Sequence, residues 1–164
     1  MIRERSFTWS DPALSAAAGR AMAGLDLMRA LRDGTVPPPS VIDLVGISLT
    51  DVDEGRVVMC LTPAEYHYNP LGTMHGGILA TLLDSVMGCA VHTTLPKGRG
   101  YTSLEIKVNY VRTVTNASGE LSAEGRIVHG GKRSAVAEGR VVDGKGRLCA
   151  TASTTCLVFD IPAA

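Results

Sequence analysis

The stretch NPLGTMHGGILATLLDSVMGCAVH, residues 69–92, decides the reading of this chain. Across residues 77–94, Leu79, Leu82, Leu83, Val86 and Ala90 recur at three- and four-residue spacing and share one side of a helix. Thr81, Ser85 and Gly88 on the opposite side are small or weakly polar, so the helix is expected to be buried nearly all round. Pro96-Lys97-Gly98 ends it. Between Glu65 and Lys97 one side chain is formally charged, Asp84, in the middle of this apolar helix. Burying a lone carboxylate is costly unless it is satisfied. Ala80, Thr81, Met87 and Gly88, one turn away, are mostly small and leave room for a ligand or a partner chain. Asp84 therefore reads either as a general base or nucleophile, or as a carboxylate facing solvent or satisfied by a neighbouring strand.

Working outward, residues 62–73 carry two prolines and a glycine and read as a loop. Beyond the helix come four strand-like runs, 101–112, 120–129, 133–143 and 147–159, joined by hairpin-capable turns. Upstream, Asp11-Pro12 caps an amphipathic helix carrying Leu14, Ala18, Ala21, Leu25 and Met28, which stops before Gly34. Pro37-Pro38-Pro39 forces an extended connection into a strand at 41–50, kinked at Gly46. Asp53-Glu54-Gly55 then turns the chain into a second strand at 56–61. The expected class is α+β, with an N-terminal helical extension at 1–40 and one domain at 41–160. One helix covers one face of a six-stranded antiparallel sheet, so a second copy of the chain is expected on the other face or the edges.

Composition sets the class of partner. With 16 Lys+Arg against 16 Asp+Glu over 164 residues, the chain lacks the basic face that nucleic-acid binding requires. Aromatics are 4% against 45% hydrophobic residues overall, so the core is aliphatic. No apolar run is long enough to span a membrane, and MIRERSFTWSDP lacks the apolar segment of a signal peptide; the expected location is cytoplasmic. Cys60, Cys89, Cys149 and Cys156 show no metal-ligand spacing and read as buried small hydrophobes in a reducing compartment.

Gly76-Gly77 opens the long helix after His75. The first N–H groups of a helix have no intrahelical partner, and the dipole adds partial positive charge, an arrangement suited to an oxyanion; a tight turn packed on a sheet is the plainer explanation. Gly76 and Asp84 lie eight residues apart, roughly 12 Å at ~1.5 Å per residue. That is too far for one reacting carbon. Two antiparallel helices across a dimer would place Gly76 of one chain near Asp84 of the other, giving shared sites.

NPLGTMHGGILATLLDS, with YTSLEIKVNYVR at 101–112, closely resembles the hot-dog-fold acyl-CoA thioesterases of the PaaI-like, phenylacetic-acid-degradation group, over about 41–159. The resemblance implies a long central helix wrapped by a six-stranded antiparallel sheet. It implies Asp84 as the catalytic carboxylate, activating water or attacking the thioester carbon, and Gly76 as the N–H that polarises the carbonyl. Asn69 would orient water or the carbonyl, and His75 would hold the loop and helix start in register. Ser103 matches a Ser or Thr position near the carboxylate; Thr102 competes, since adjacent strand residues face opposite sides. Gly77 would approach the substrate. Asn69 also reads as a turn former and His75 as a structural histidine, while His67, His92 and His129 read as surface or structural.

Coenzyme A phosphates would need Lys and Arg, for no phosphate-binding loop is present. Lys132-Arg133 after Gly130-Gly131 is the first choice, Arg99 and Arg112 weaker ones, and a solvated turn the alternative for each. The implied activity is acyl-CoA hydrolysis in a homodimer or a dimer of dimers, a homotetramer, without metal or redox cofactor, coenzyme A being part of the substrate. The acyl group, aromatic or medium-chain aliphatic, stays open. A non-catalytic acyl-CoA-binding or regulatory hot-dog module is the alternative from another class, and a hot-dog dehydratase the third reading.

Overall fold

The computed structural model describes residues 1–162. Its elements are α1 (Pro12–Ala21), α2 (Gly24–Arg32), α3 (Ser40–Val45), β1 (Ile47–Asp53), β2 (Arg56–Leu61), α4 (Gly76–His92), β3 (Arg99–Tyr110), β4 (Leu121–Gly130), β5 (Ser134–Val142) and β6 (Leu148–Asp160). The strands form one six-stranded antiparallel sheet in the order β1-β2-β4-β5-β6-β3. One face carries α4, which touches β2, β3, β4, β5 and β6. This is the hot-dog arrangement that the resemblance implied, with the expected two strands, long helix and four further strands in sequence.

Two N-terminal expectations are corrected. Asp11 does cap the first helix, its carboxylate accepting the Ala13 N–H at 2.9 Å. The expected single helix nevertheless breaks at Met22 and Ala23, which are extended, and α2 restarts at Gly24. The break has a distant cause: the Gly24 N–H donates to the Leu95 carbonyl at 2.9 Å. The strand expected at 41–50 begins only at Ile47, because Ser40–Val45 is helical. Strand alternation would pair Leu44 with Ile42, yet Leu44 is exposed while Val45 is buried and Ile42 packs on the core. A three-residue spacing buries Ile42 and Val45 together only in a helix. Gly46, at φ 84°, is the left-handed cap of that helix, its N–H donating to the Ile42 carbonyl at 2.8 Å.

The core lies between α4 and the sheet. Leu82, Leu83, Val86 and Met87 of α4 are fully buried against Val57, Leu61, Leu121 and Val141. At roughly 1.5–3 kcal/mol for each large apolar side chain removed from water, this layer dominates the stability of the fold. β1 and β3 are the sheet edges. β3 is twelve residues long, and Leu104, Ile106 and Tyr110 along it are exposed. Among the described residues no helix is long and apolar enough to cross a membrane.

On the sheet face away from α4, Glu124 of β4 gathers Arg56 at 2.8 Å, Arg126 at 2.9 Å and Arg140 at 3.3 Å. Arg126, then Arg56, by hydrogen bonds to the carboxylate, hold the Glu124 carboxyl down at about 2, against an ordinary 4.5. A depressed folded-state value stabilises the protein above pH 4.5, and that contribution is lost as pH falls through about 2. Unfolding followed by circular dichroism across this window will show the loss in the unmodified chain and a shallower one in Glu124→Gln. Arg56 keeps Asp51 and Asp53 as partners in that variant, so it remains folded at neutral pH.

Candidate active site

His75 sits at the N-cap of α4 with ψ 132°, and its Nδ1 accepts the Gly77 N–H at 2.9 Å. Its carbonyl accepts the Ile78 N–H at 3.0 Å, and its own N–H donates to the His67 carbonyl at 2.8 Å. The ring and backbone of His75 thus tie the incoming loop to the helix start. Gly77 and Ile78 have spent their N–H groups on His75, whereas the Gly76 N–H makes no hydrogen bond among the described residues. Of the two glycines, Gly76 is therefore the one with a free donor at the positive end of the helix. The Gly76 carbonyl accepts from the Tyr110 hydroxyl at 2.9 Å. A methyl group at Gly76 would lie 3.0 Å from the Tyr110 ring, close enough that the tyrosine would have to shift by a few tenths of an ångström to admit it.

Asn69 is engaged in its own loop. Its Oδ1 accepts the Leu71 N–H at 2.9 Å and the Thr73 N–H at 3.3 Å, and its Nδ2 donates to Thr73 Oγ1 at 3.1 Å. Within this chain the amide forms an Asx turn that positions the segment leading to His75.

Asp84 lies two turns into α4 and is half-buried. Its Oδ1 accepts the Ser103 hydroxyl of β3 at 2.7 Å. Of the two neighbours, Ser103 makes this bond, while Thr102 is exposed and lines the same cavity without bonding Asp84. One hydrogen bond to Oδ1 fixes the carboxylate and leaves Oδ2 for another partner.

Asp84 and Ser103 form part of the wall of a cavity of about 820 Å³. Along α4 the same wall carries Ser85, Cys89 and His92, and Tyr101 of β3 stands beside them. Burial, reinforced by the nearby Asp84 charge, pushes the Cys89 thiol up to about 12, which disfavours the thiolate form. Burial lowers His92, which keeps the ring neutral at neutral pH, edge-on to Tyr101 with centroids 5.6 Å apart. His92 is thus a cavity residue, a place that sequence reasoning did not give it. Tyr110 was also missed: a tyrosine late in a strand carries no sign that it will meet a helix start.

Lys132 and Arg133 are exposed on the β4–β5 turn, and Lys132 lines a separate cavity beyond the C-terminal end of α4 with Thr94, Leu95 and Arg99. The Lys132 carbonyl accepts from the Arg99 guanidinium, which also faces Asp160 at 3.1 Å. Arg112 donates to the Leu148 carbonyl at 3.2 Å. Within one chain these cations are not brought to the cavity that holds Asp84. His67 is structural, its Nε2 2.9 Å from the Val45 carbonyl and its Nδ1 accepting the Ala64 N–H at 3.2 Å. His129 is exposed. Among the described residues no cluster of three or more His, Cys, Asp or Glu side chains could hold a metal ion.

The thioesterase superfamily model matches residues 71–150, which include Gly76, Gly77, Asp84 and Ser103. A candidate esterase of Halobacterium salinarum is 32% identical over 128 residues, covering 74% of this chain and 83% of that protein. The chain belongs to the thioesterase superfamily. Among solved structures, this thioesterase is similar to a phenylacetic acid degradation-related candidate thioesterase of Ralstonia eutropha, at 26% identity and TM-score 0.72, covering 79% of this chain and 98% of the other. It is also similar to a hypothetical thioesterase of Streptococcus pneumoniae solved with coenzyme A, at 25% identity and TM-score 0.64, covering 71% and 91%. Membership and these relatives make the chain a thioester hydrolase.

Ser103→Ala removes the one hydrogen bond that fixes Asp84, without a change in size that the core would feel. Thioester hydrolysis in this variant is expected to fall by about tenfold in kcat, equivalent to ~1.4 kcal/mol, with the thermal midpoint lowered by only a few degrees, as the loss of one hydrogen bond worth ~1 kcal/mol implies. Steady-state kinetics beside a melting curve checks both.

Proposed function

We propose that the chain hydrolyses a small or medium acyl-CoA, aromatic or aliphatic, to the free acid and coenzyme A, as a PaaI-like thioesterase. The observation that carries this reading is a half-buried carboxylate, held by Ser103, at the wall of a large cavity in an otherwise apolar helix. The coenzyme A bound to the Streptococcus pneumoniae protein supports the thiol half of the substrate. The Ralstonia eutropha relative supports the subgroup, and phenylacetic acid degradation as the setting.

In the proposed reaction the thioester carbonyl oxygen lies on the Gly76 N–H, where negative charge is stabilised as it develops. Asp84, as general base, takes a proton from water while the water oxygen bonds to the acyl carbon. The C–S bond breaks as the carbonyl reforms, and the sulfur leaves as thiolate and collects the proton. Direct attack by Asp84 on the carbon, followed by hydrolysis of the anhydride, gives the same products. Since Gly76 and Asp84 of one chain are roughly 12 Å apart along the helix, the reading requires a homodimer with two shared sites, and a dimer of dimers is the proposed assembly. Asn69 and His75 keep the donor loop in shape, and Lys132 and Arg133 are the proposed phosphate contacts. Coenzyme A enters as substrate, with no further cofactor. Four free thiols are compatible with a reducing compartment, and a cytoplasmic location is proposed.

Thiol release from a panel of aromatic and aliphatic acyl-CoAs tests the proposal. Asp84→Asn is expected to lose about 10²- to 10⁴-fold in kcat while the assembly, read by light scattering, is unchanged. Undiminished turnover in Asp84→Asn would remove Asp84 from the catalytic role. Tight binding of the esters with no turnover by the unmodified chain would instead make it a binding module.

A further inference from the structure

The cavity beside Asp84 is walled on one side by residues well outside the matched family region. Leu27, Met28 and Leu31 of α2 and Val41 and Ile42 of α3 face it, opposite Ser85, Cys89 and His92 of α4. Positions 84, 85, 89 and 92 share one face of α4. The cavity therefore runs along the helix from the carboxylate to His92, eight residues or roughly 12 Å away at ~1.5 Å per residue.

The wall opposite is docked rigidly. The Gly24 N–H donates to the Leu95 carbonyl at 2.9 Å, and a methyl group at Gly24 would fall 1.7 Å from the His92 carbonyl oxygen. α2 thus starts in backbone contact with the far end of α4. From there Leu27 and Met28 are buried against Val52 of β1, forming a small second core under the extension. A helix held at its first residue by the backbone and along its length by buried side chains makes a fixed stop.

We propose that α2 and α3 are the acyl-length gauge of this enzyme, closing the pocket of Asp84 around a linear aliphatic acyl chain of about eight to ten carbons, at ~1.5 Å per bond shortened by the zigzag. The inference rests on the thioesterase reading and names its substrate class. Two features favour an extended aliphatic chain over a single ring. The pocket is longer than a ring attached to the thioester would fill. Leu27, Met28, Leu31, Ile42, Leu49 and Met59 make most of its lining apolar, although Arg32, Asp43 and Ser48 also reach the wall.

The test is kcat/KM for straight-chain acyl-CoAs from acetyl to hexadecanoyl, and for phenylacetyl-CoA, in the unmodified chain and in Leu31→Trp and Val41→Trp. Leu31 is half-buried and Val41 exposed at the cavity wall, so two variants of unequal folding risk report on one wall, and melting curves confirm that each is folded. The unmodified chain is expected to peak at octanoyl to decanoyl. Each variant should lose at least about tenfold on decanoyl-CoA, the order that a pocket too small by a few methylenes imposes, with butanoyl-CoA within about twofold of its original value. A flat or unshifted profile in folded variants overturns the gauge, as does a preference for phenylacetyl-CoA, while leaving the thioesterase reading intact. If no ester is turned over, that reading fails separately. Calorimetric titration with decanoyl- and butanoyl-CoA then decides the gauge: tighter decanoyl binding that Leu31→Trp abolishes keeps it, and equal binding removes it.

Discussion

A seventeen-residue helix in which Leu82, Leu83, Val86, Met87, Ala90 and Val91 are fully buried has almost no face left for water. The sheet encloses much of it, and what is left partly exposed includes Gly77, Ala80 and Thr81 near its start as well as the strip that carries Asp84, Ser85, Cys89 and His92. A carboxylate is tolerable in that setting only beside a polar partner and an open space. Ser103 supplies the first and the cavity the second. The requirement to enclose α4 and the requirement to keep one charge satisfied together dictate where a site can exist.

The same helix offers two chemical resources that it cannot use together. Its start presents the free Gly76 N–H, supported by the ring of His75 and held by Tyr110. Two turns later it presents Asp84. A rigid helix fixes their separation, so no rotamer change brings the two onto one carbon. Under the proposed reading, symmetry between two copies does what flexibility within one cannot.

Much of this was legible from the sequence, where burial repeats at a fixed spacing. α4 and the last four strands announce themselves by period, and the solitary charge of Asp84 stands out against an apolar run. Legibility ended where the cause is remote or the spacing ambiguous. Ile42, Leu44 and Val45 fit a strand or a helical turn equally well over six residues, and Gly46 serves as kink or cap. The break at Met22 answers to the Leu95 carbonyl, more than seventy positions away, and has no local signature. Alternation states that Thr102 and Ser103 face opposite ways but not which one meets the helix. Which surface a flanking helix covers is likewise written in the partner surface, so the place of α2 at the cavity emerged only from the fold.

Cys89 shares a wall with the catalytic candidate, and thiols exchange acyl groups with thioesters only as thiolates. Its pocket holds it protonated, through the same exclusion of water and the same Asp84 charge that shape the site. Under the proposed reading, an acyl group delivered beside Asp84 meets a sulfur whose thiolate form is disfavoured, which weighs against its transfer to the enzyme itself.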